Sequence, residues 1–196
     1  ITGRGASGAG HNSPMNATTV AFPGFASPGV GFDEPFEMLQ ACHERVQRSL
    51  ALLQRLIAHV DQQGCDADAR SAATDVLRYF DLAGPHHHED EERHVFPLLH
   101  EHPDERVRAA VTTLQADHVL MHAMWQRLRT GLLRWRDGTD ATPFTPEERA
   151  VADEFVRIYE RHIPLEEEVV YPAARALLDA ADQRAMGDEM AARRRG

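Results

Sequence analysis

From residue 33 onward the chain is written in helical periods. In "DEPFEMLQACHERVQRSLALLQRLIAHV" the apolar positions Leu39, Val46, Leu50, Leu53 and Ile57 fall on one face of a helix, with Asp33 placed as its N-cap. "DQQGCDAD" breaks the pattern, and a second helix follows from about Asp68 through Phe80 to about Leu99, with a kink expected at Pro85. "HEHPDE" ends it, and a third helix runs from about Asp104 to Trp135. The loop "RDGTDATPFTPEE" closes on Thr145, Pro146 and Glu148: an N-cap, a proline at the first helical position and an acid at the third. That signature opens a fourth helix from Pro146 to about Tyr171, with Pro164 inside it and a short helical tail behind. Four long helices on short connections predict an all-α, antiparallel up-down-up-down four-helix bundle over residues 32–196.

Residues 1–31 carry no period and are rich in Gly, Ala, Ser, Thr and Pro, which predicts a flexible arm. The stretch before Met15 reads as an appended leader, with Met15 as the natural start, and His11 within it is set aside.

Composition narrows the function. The net charge of −10 disfavours nucleic acid, since phosphate binding needs a basic face. The two cysteines, Cys42 and Cys65, form no CxxC and suit a reducing, cytoplasmic setting. No apolar run approaches the roughly 20 residues that would span a bilayer, so no membrane role is expected. Twelve histidines in 196 residues do need a reason.

The reason lies in a repeat. "HHHEDEERHVFP" and "HIPLEEEVVYP" superpose at one offset: His87 on His162, Glu91 on Glu166, and Phe96-Pro97 on Tyr171-Pro172, each pair 75 residues apart. The same offset carries His43 in the first helix onto His118 in the third. HxxxE places an imidazole and a carboxylate about one turn apart on one helix face. Two such pairs facing across a bundle can bridge two metal ions through Glu91 and Glu166, with imidazoles filling the remaining positions. Imidazole with carboxylate suits iron, manganese or zinc. His122, one turn after His118, maps onto Gln47 and has no counterpart. The half with His118, His122 and His162 is therefore expected to saturate its ion. The half with His43 and His87 should keep an open position for dioxygen, peroxide, nitric oxide or water.

The alternatives are local. His88 with Glu92 is a rival register to His87 with Glu91, and the Phe-Pro spacing favours the latter. His86 and His88 are expected to be exposed or to stand just behind the ligands, His59, His94, His100 and His102 at the surface, and Glu89, Asp90, Glu92, Glu167 and Glu168 in solvent. Tyr159, three residues before His162, is either a hydrogen-bonding or redox group at the metals or a core aromatic. Trp125 and Leu39 are expected to line a dry pocket over the site, and Ala41, Ala83 and Gly84 could leave room beside it. Cys42 lies about 100° around the helix from His43, away from ligation.

Over roughly residues 33–180 these motifs, with "DHVLMH" in the third helix, resemble the hemerythrin-like domains of the HHE cation-binding type. The resemblance implies a four-helix bundle around a non-haem di-iron centre, possible oxo or hydroxo bridging included, held by His43, His87, Glu91, His118, His122, His162 and Glu166. Oxygen-carrying members use an aspartate five residues after the last histidine. Here that place is Glu167, and Glu166, at four, is the expected ligand. The functions implied are binding or sensing of oxygen or a related small ligand; a di-iron enzyme for peroxide breakdown or oxygen-dependent oxidation; or iron storage and handling.

Overall fold

The computed structural model describes residues 31–195; Met15, His11 and the rest of the expected arm lie outside the described residues. Those residues form seven α-helices: α1 (Pro35–Gln63), α2 (Ala67–Arg78), α3 (Gly84–Asp90), α4 (Glu105–Asp137), α5 (Pro146–Leu165), α6 (Tyr171–Arg175) and α7 (Ala180–Arg193). No strand occurs among the described residues. Several of these helices are pieces of longer rods. A π turn, Tyr79–Ala83, joins α2 to α3; a second π turn, Glu91–Val95, and a 3-10 turn, Phe96–Leu99, complete that rod. A third π turn, Glu166–Val170, joins α5 to α6. The four rods pack as a bundle, α2 against α1 and α4, and α4 and α1 against α5. No helix among the described residues is long and apolar enough to cross a membrane.

The helix ends follow local chemistry. Asp66 accepts from the Ala69 amide and Asp104 from the Arg106 amide, and Thr145 and Glu148 form the reciprocal capping box that the sequence announces. α1 departs from expectation: its N-cap is Glu34, with no side-chain cap, because Pro35 takes the first helical position and leaves Asp33 outside the helix. Gly64 and Gly138 end α1 and α4 with φ of 80° and 66°, a region that L side chains rarely adopt.

The π turns have a common cause. Gly84, Phe96 and Tyr171 each donate their amide to the carbonyl five residues back, and each stands immediately before a proline: Pro85, Pro97 and Pro172. A proline in a helix has no N–H to give and crowds the carbonyl four residues back. Widening the turn just ahead of the ring moves that carbonyl aside, so the rod continues where a kink was expected. Two of the three π turns begin at Glu91 and Glu166, one repeat apart.

The interior is stratified. One apolar cluster holds Val46, Leu50, Phe80, Met121, Trp125, Phe155 and Tyr159; the other holds Phe36, Leu39, Val95, Phe96, Leu114, Val170 and Tyr171. Each rod therefore passes from one apolar layer to the other, and where it crosses it presents buried histidine or glutamate. The C-terminal α7 closes the second layer. A Cβ at Gly187 would fall 1.8 Å from the Phe32 carbonyl oxygen, so only glycine lets α7 lie this close to the segment before α1. Asp90 is fully buried, contrary to the solvated role expected of it, because Arg193 and Arg194 of α7 reach in to pair with it.

Candidate metal centre

Six of the seven expected ligands converge between the two apolar layers. His43, His87, Glu91 and Glu166 place one ligand atom each within 4.8 Å of one another, and so do Glu91, His118, His162 and Glu166. All six residues are buried. The two groups share both glutamates. His87 and His162 stand one turn before Glu91 and Glu166, with Nε2–carboxylate distances of 3.5 and 2.8 Å. His43 and His118 cross over to the other helix pair: His43 Nε2 lies 3.1 Å from Glu166, and His118 Nε2 lies 3.4 Å from Glu91. The ring pairs His43–His87 and His118–His162 both have centroids 5.0 Å apart. The pseudo-twofold read from the offset is thus present in the side chains.

The seventh residue does not join them. His122 is exposed, at the mouth of a cavity, and belongs to neither group. Its turn of α4 carries it past the edge of the buried face that holds His118. Each half therefore offers two imidazoles, and the extra histidine does not distinguish them. His88 does not join either, so His87 with Glu91 is the register that faces inward.

Outer carboxylates orient the rings. His43 donates from Nδ1 to Glu167 at 2.7 Å, and His118 donates from Nδ1 to Glu92 at 3.0 Å. A carboxylate can only accept, so the Nδ1 proton is fixed and Nε2 is left to face the centre. Glu92 and Glu167, expected in solvent, are again one repeat apart and each serves the histidine of the opposite half. Their position beside Glu91 and Glu166 at the same offset was the signal for them. His162 Nδ1 faces Asp117 at 3.4 Å, and Arg161 holds Asp117 in turn at 3.0 Å. His87 Nδ1 has no partner.

The phenol at the centre is Tyr171, while Tyr159 lines the cavity described below. Tyr171 donates its hydroxyl to Glu91 and sits 3.3 Å from His43 Nε2, with its ring stacked on His43 at 5.7 Å. Its repeat partner, Phe96, stacks on His118 at 5.5 Å and has no hydroxyl to offer.

Electrostatics make this an unsettled site without cations. Burial works against a charged His43, but Glu166, Glu91 and Glu167 outweigh it and raise its pKa to about 9. Burial opposes charge on His118 too, and Glu91 and Glu92 likewise raise it to about 9. Burial dominates at His87 and lowers it to about 3. At Glu166 burial is overcome by His162 and His43, which hold the carboxyl well below its usual range. Even so, both Glu166 oxygens, one Glu91 oxygen, and Nε2 of His118 and His162 are buried with no well-formed hydrogen bond. Unpartnered buried acceptors normally cost stability. A cluster of them aimed at two shared points is a donor set matched to two cations, with imidazole nitrogen and carboxylate oxygen suited to first-row metals.

A model of the hemerythrin HHE cation-binding domain matches residues 34–174. The chain belongs to this family. It is also similar to an uncharacterised protein of Haemophilus influenzae, 30% identical over 163 residues, which cover 83% of this chain and 91% of that protein. The described HHE domain thus contains the candidate centre in full.

Two openings reach the HHE centre, one over each half. Over His118 lies a cavity of about 400 Å³ walled by Phe80, Trp125, Phe155 and Tyr159. Trp125 and Gly84 line it as expected, whereas Leu39 is packed in the opposite apolar layer. Over His43 the corresponding opening is walled by Glu37, Gln40, Glu44, Gln47 and Glu167. His118, Val119, His122 and Glu92 of the first opening match His43, Glu44, Gln47 and Glu167 of the second at the same 75-residue offset. The repeat is kept in its backbone and inverted in its polarity.

Proposed function

We propose that this HHE domain is a di-iron protein that binds dioxygen or a related small ligand, with His43 and His87 on one ion, His118 and His162 on the other, and Glu91 and Glu166 bridging. The observation that carries the reading is the pair of buried four-member groups sharing both glutamates. An ion that takes more than four donors would keep room for a small ligand there whether or not His122 takes part. When bound, the metal pair supplies redox chemistry and free coordination positions.

The chain's own part is preorganisation. Glu167 and Glu92 hold the His43 and His118 rings by their Nδ1 protons, and Asp117 faces the Nδ1 of His162. The two apolar layers exclude water above and below. Burial beside Glu166 and Glu91 drives the Tyr171 pKa well above its usual value, so its hydroxyl keeps its proton. It donates to the Glu91 carboxylate on the His43 side.

That proton also favours a second reading, a di-iron enzyme acting on peroxide or oxygen, because such chemistry consumes protons and Tyr171 Oη holds one beside Glu91. Metal content per chain, with optical spectra of the reduced protein before and after oxygen, decides between them. Two irons and a reversible oxygen-dependent band are expected for the binding protein. Irreversible oxidation, or turnover of added peroxide, selects the enzyme. Zinc, or no metal, overturns both.

A further inference from the structure

The cavity over His118 is far larger than a diatomic ligand requires. A water molecule's share of liquid is about 30 Å³, against a cavity volume of about 400 Å³, which lies in the range that holds small organic molecules. Its walls are aromatic: Phe80, Trp125 and Phe155 contact one another with ring centroids 5.0 to 6.2 Å apart. Flat faces of this kind stack on a flat guest.

Two polar groups in the wall have nothing to bond. Among the described residues neither the His88 ring nor the Tyr159 hydroxyl makes a hydrogen bond or ion pair within the chain; each has ring contacts only. Their rings stack at 6.2 Å, and His88 lies on His118 at 4.0 Å, so both stand at the inner end, beside the metal centre. Polar groups left open in an apolar cavity are what orient a ligand there. The mouth carries Glu89 and Glu92, each already paired, Glu89 with Arg93 and Arg193 and Glu92 with His118 and Gln115, and the apolar walls leave a buried carboxylate without solvation. The matching opening over His43 has a similar volume, about 420 Å³, but it is polar and has no aromatic wall.

We infer that this cavity is a binding site for an uncharged phenol, its ring stacked among Phe80, Trp125 and Phe155 and its hydroxyl bonded to His88 and Tyr159. The guest fits the size of the space, the aromatic walls and the two open polar groups together. Binding needs the cavity and not a particular metal, so it stands apart from the di-iron reading. The bound hydroxyl would lie on the His118 side of the centre, the half without the Tyr171 phenol.

Calorimetric titration of the purified protein with 2-naphthol, at whatever metal content it carries, tests this directly. One saturable site of micromolar affinity is expected, with 2-naphthoate at least tenfold weaker. Gly84→Leu fills the cavity from its wall; a Cβ there makes only ordinary contacts with Phe80 and Tyr79, the nearest at 3.8 Å. That variant should lose binding at least tenfold, and Val119→Trp, at the exposed mouth, provides the same test if Gly84→Leu does not fold. Tyr159→Phe should weaken 2-naphthol severalfold. No saturable binding, equal affinity for the naphthoate, or undiminished binding in a folded cavity-filled variant would overturn the assignment.

Discussion

Cys42 occupies the place in the first half of the repeat that Asp117 occupies in the second. Asp117 faces the Nδ1 of His162, while the corresponding nitrogen of His87 is buried without a partner. The two halves therefore hold their helix-borne histidines differently. Asp117→Asn should weaken metal binding by about 10- to 100-fold, the usual consequence of losing an outer carboxylate, while Cys42→Ala should leave it unchanged. Competition with a chelator measures both; equal losses would show that the difference has no bearing on the metals.

Glu91→Ala and Glu166→Ala should each reduce the chain below two metals, because each glutamate belongs to both groups. His122→Gln should keep the full metal content and the same optical spectrum, since His122 is exposed and belongs to neither group. Elemental analysis of the three variants, with the absorption spectrum of His122→Gln, checks these outcomes. Two metals retained in either glutamate variant would defeat the bridging assignment.

Protons stand in for the cations in the metal-free protein. His43 and His118 have folded pKa values of about 9, above the ordinary 6.5. Their contribution to stability is full below about pH 6.5 and is lost as the pH rises through about 9. His87, lowered to about 3, acts in the opposite sense: its contribution is present above about pH 6.5 and is lost as the pH falls toward 3. Chelator-treated protein should therefore melt at progressively lower temperature from about pH 6.5 to about 9.5. Metal uptake near neutral pH should release protons, since both histidines must become neutral to ligate. Calorimetry in buffers of different ionisation enthalpy counts them, and no net release would contradict the raised values.

Tyr171→Phe makes the second half match Phe96 in the first. It removes a hydrogen bond to a buried carboxylate and should cost about 1.5–3 kcal/mol in chemical unfolding, with two metals retained. If the phenol serves as a proton source, any peroxide turnover should fall with metal content unchanged. A variant that loses metal would instead make Tyr171 part of the holding structure.

The helices, the capping box at Thr145 and the six convergent residues could all be read from period and offset, because each depends on spacing along one chain. His122 was expected at the centre and is instead exposed in the structure, because spacing alone does not fix where the buried face of α4 ends. Tyr171 was passed over because five residues along an ordinary α-helix turn a side chain about 140° away from Glu166; only the π turn brings it back. Asp90 was assigned to solvent because its arginine partners arrive from α7, about a hundred residues later in the chain.

The π turns also make the chain's length part of its chemistry. Between Glu91 and Pro97, and again between Glu166 and Pro172, the helix contains one residue more than an α-turn would use. A single deletion in either stretch would let the ladder close as an ordinary helix. The glutamate shared by both groups would stay in place, but Phe96 or Tyr171 would rotate off its histidine, and everything beyond would be carried round with it. Sequence change by substitution leaves this centre adjustable; change by loss of one residue does not.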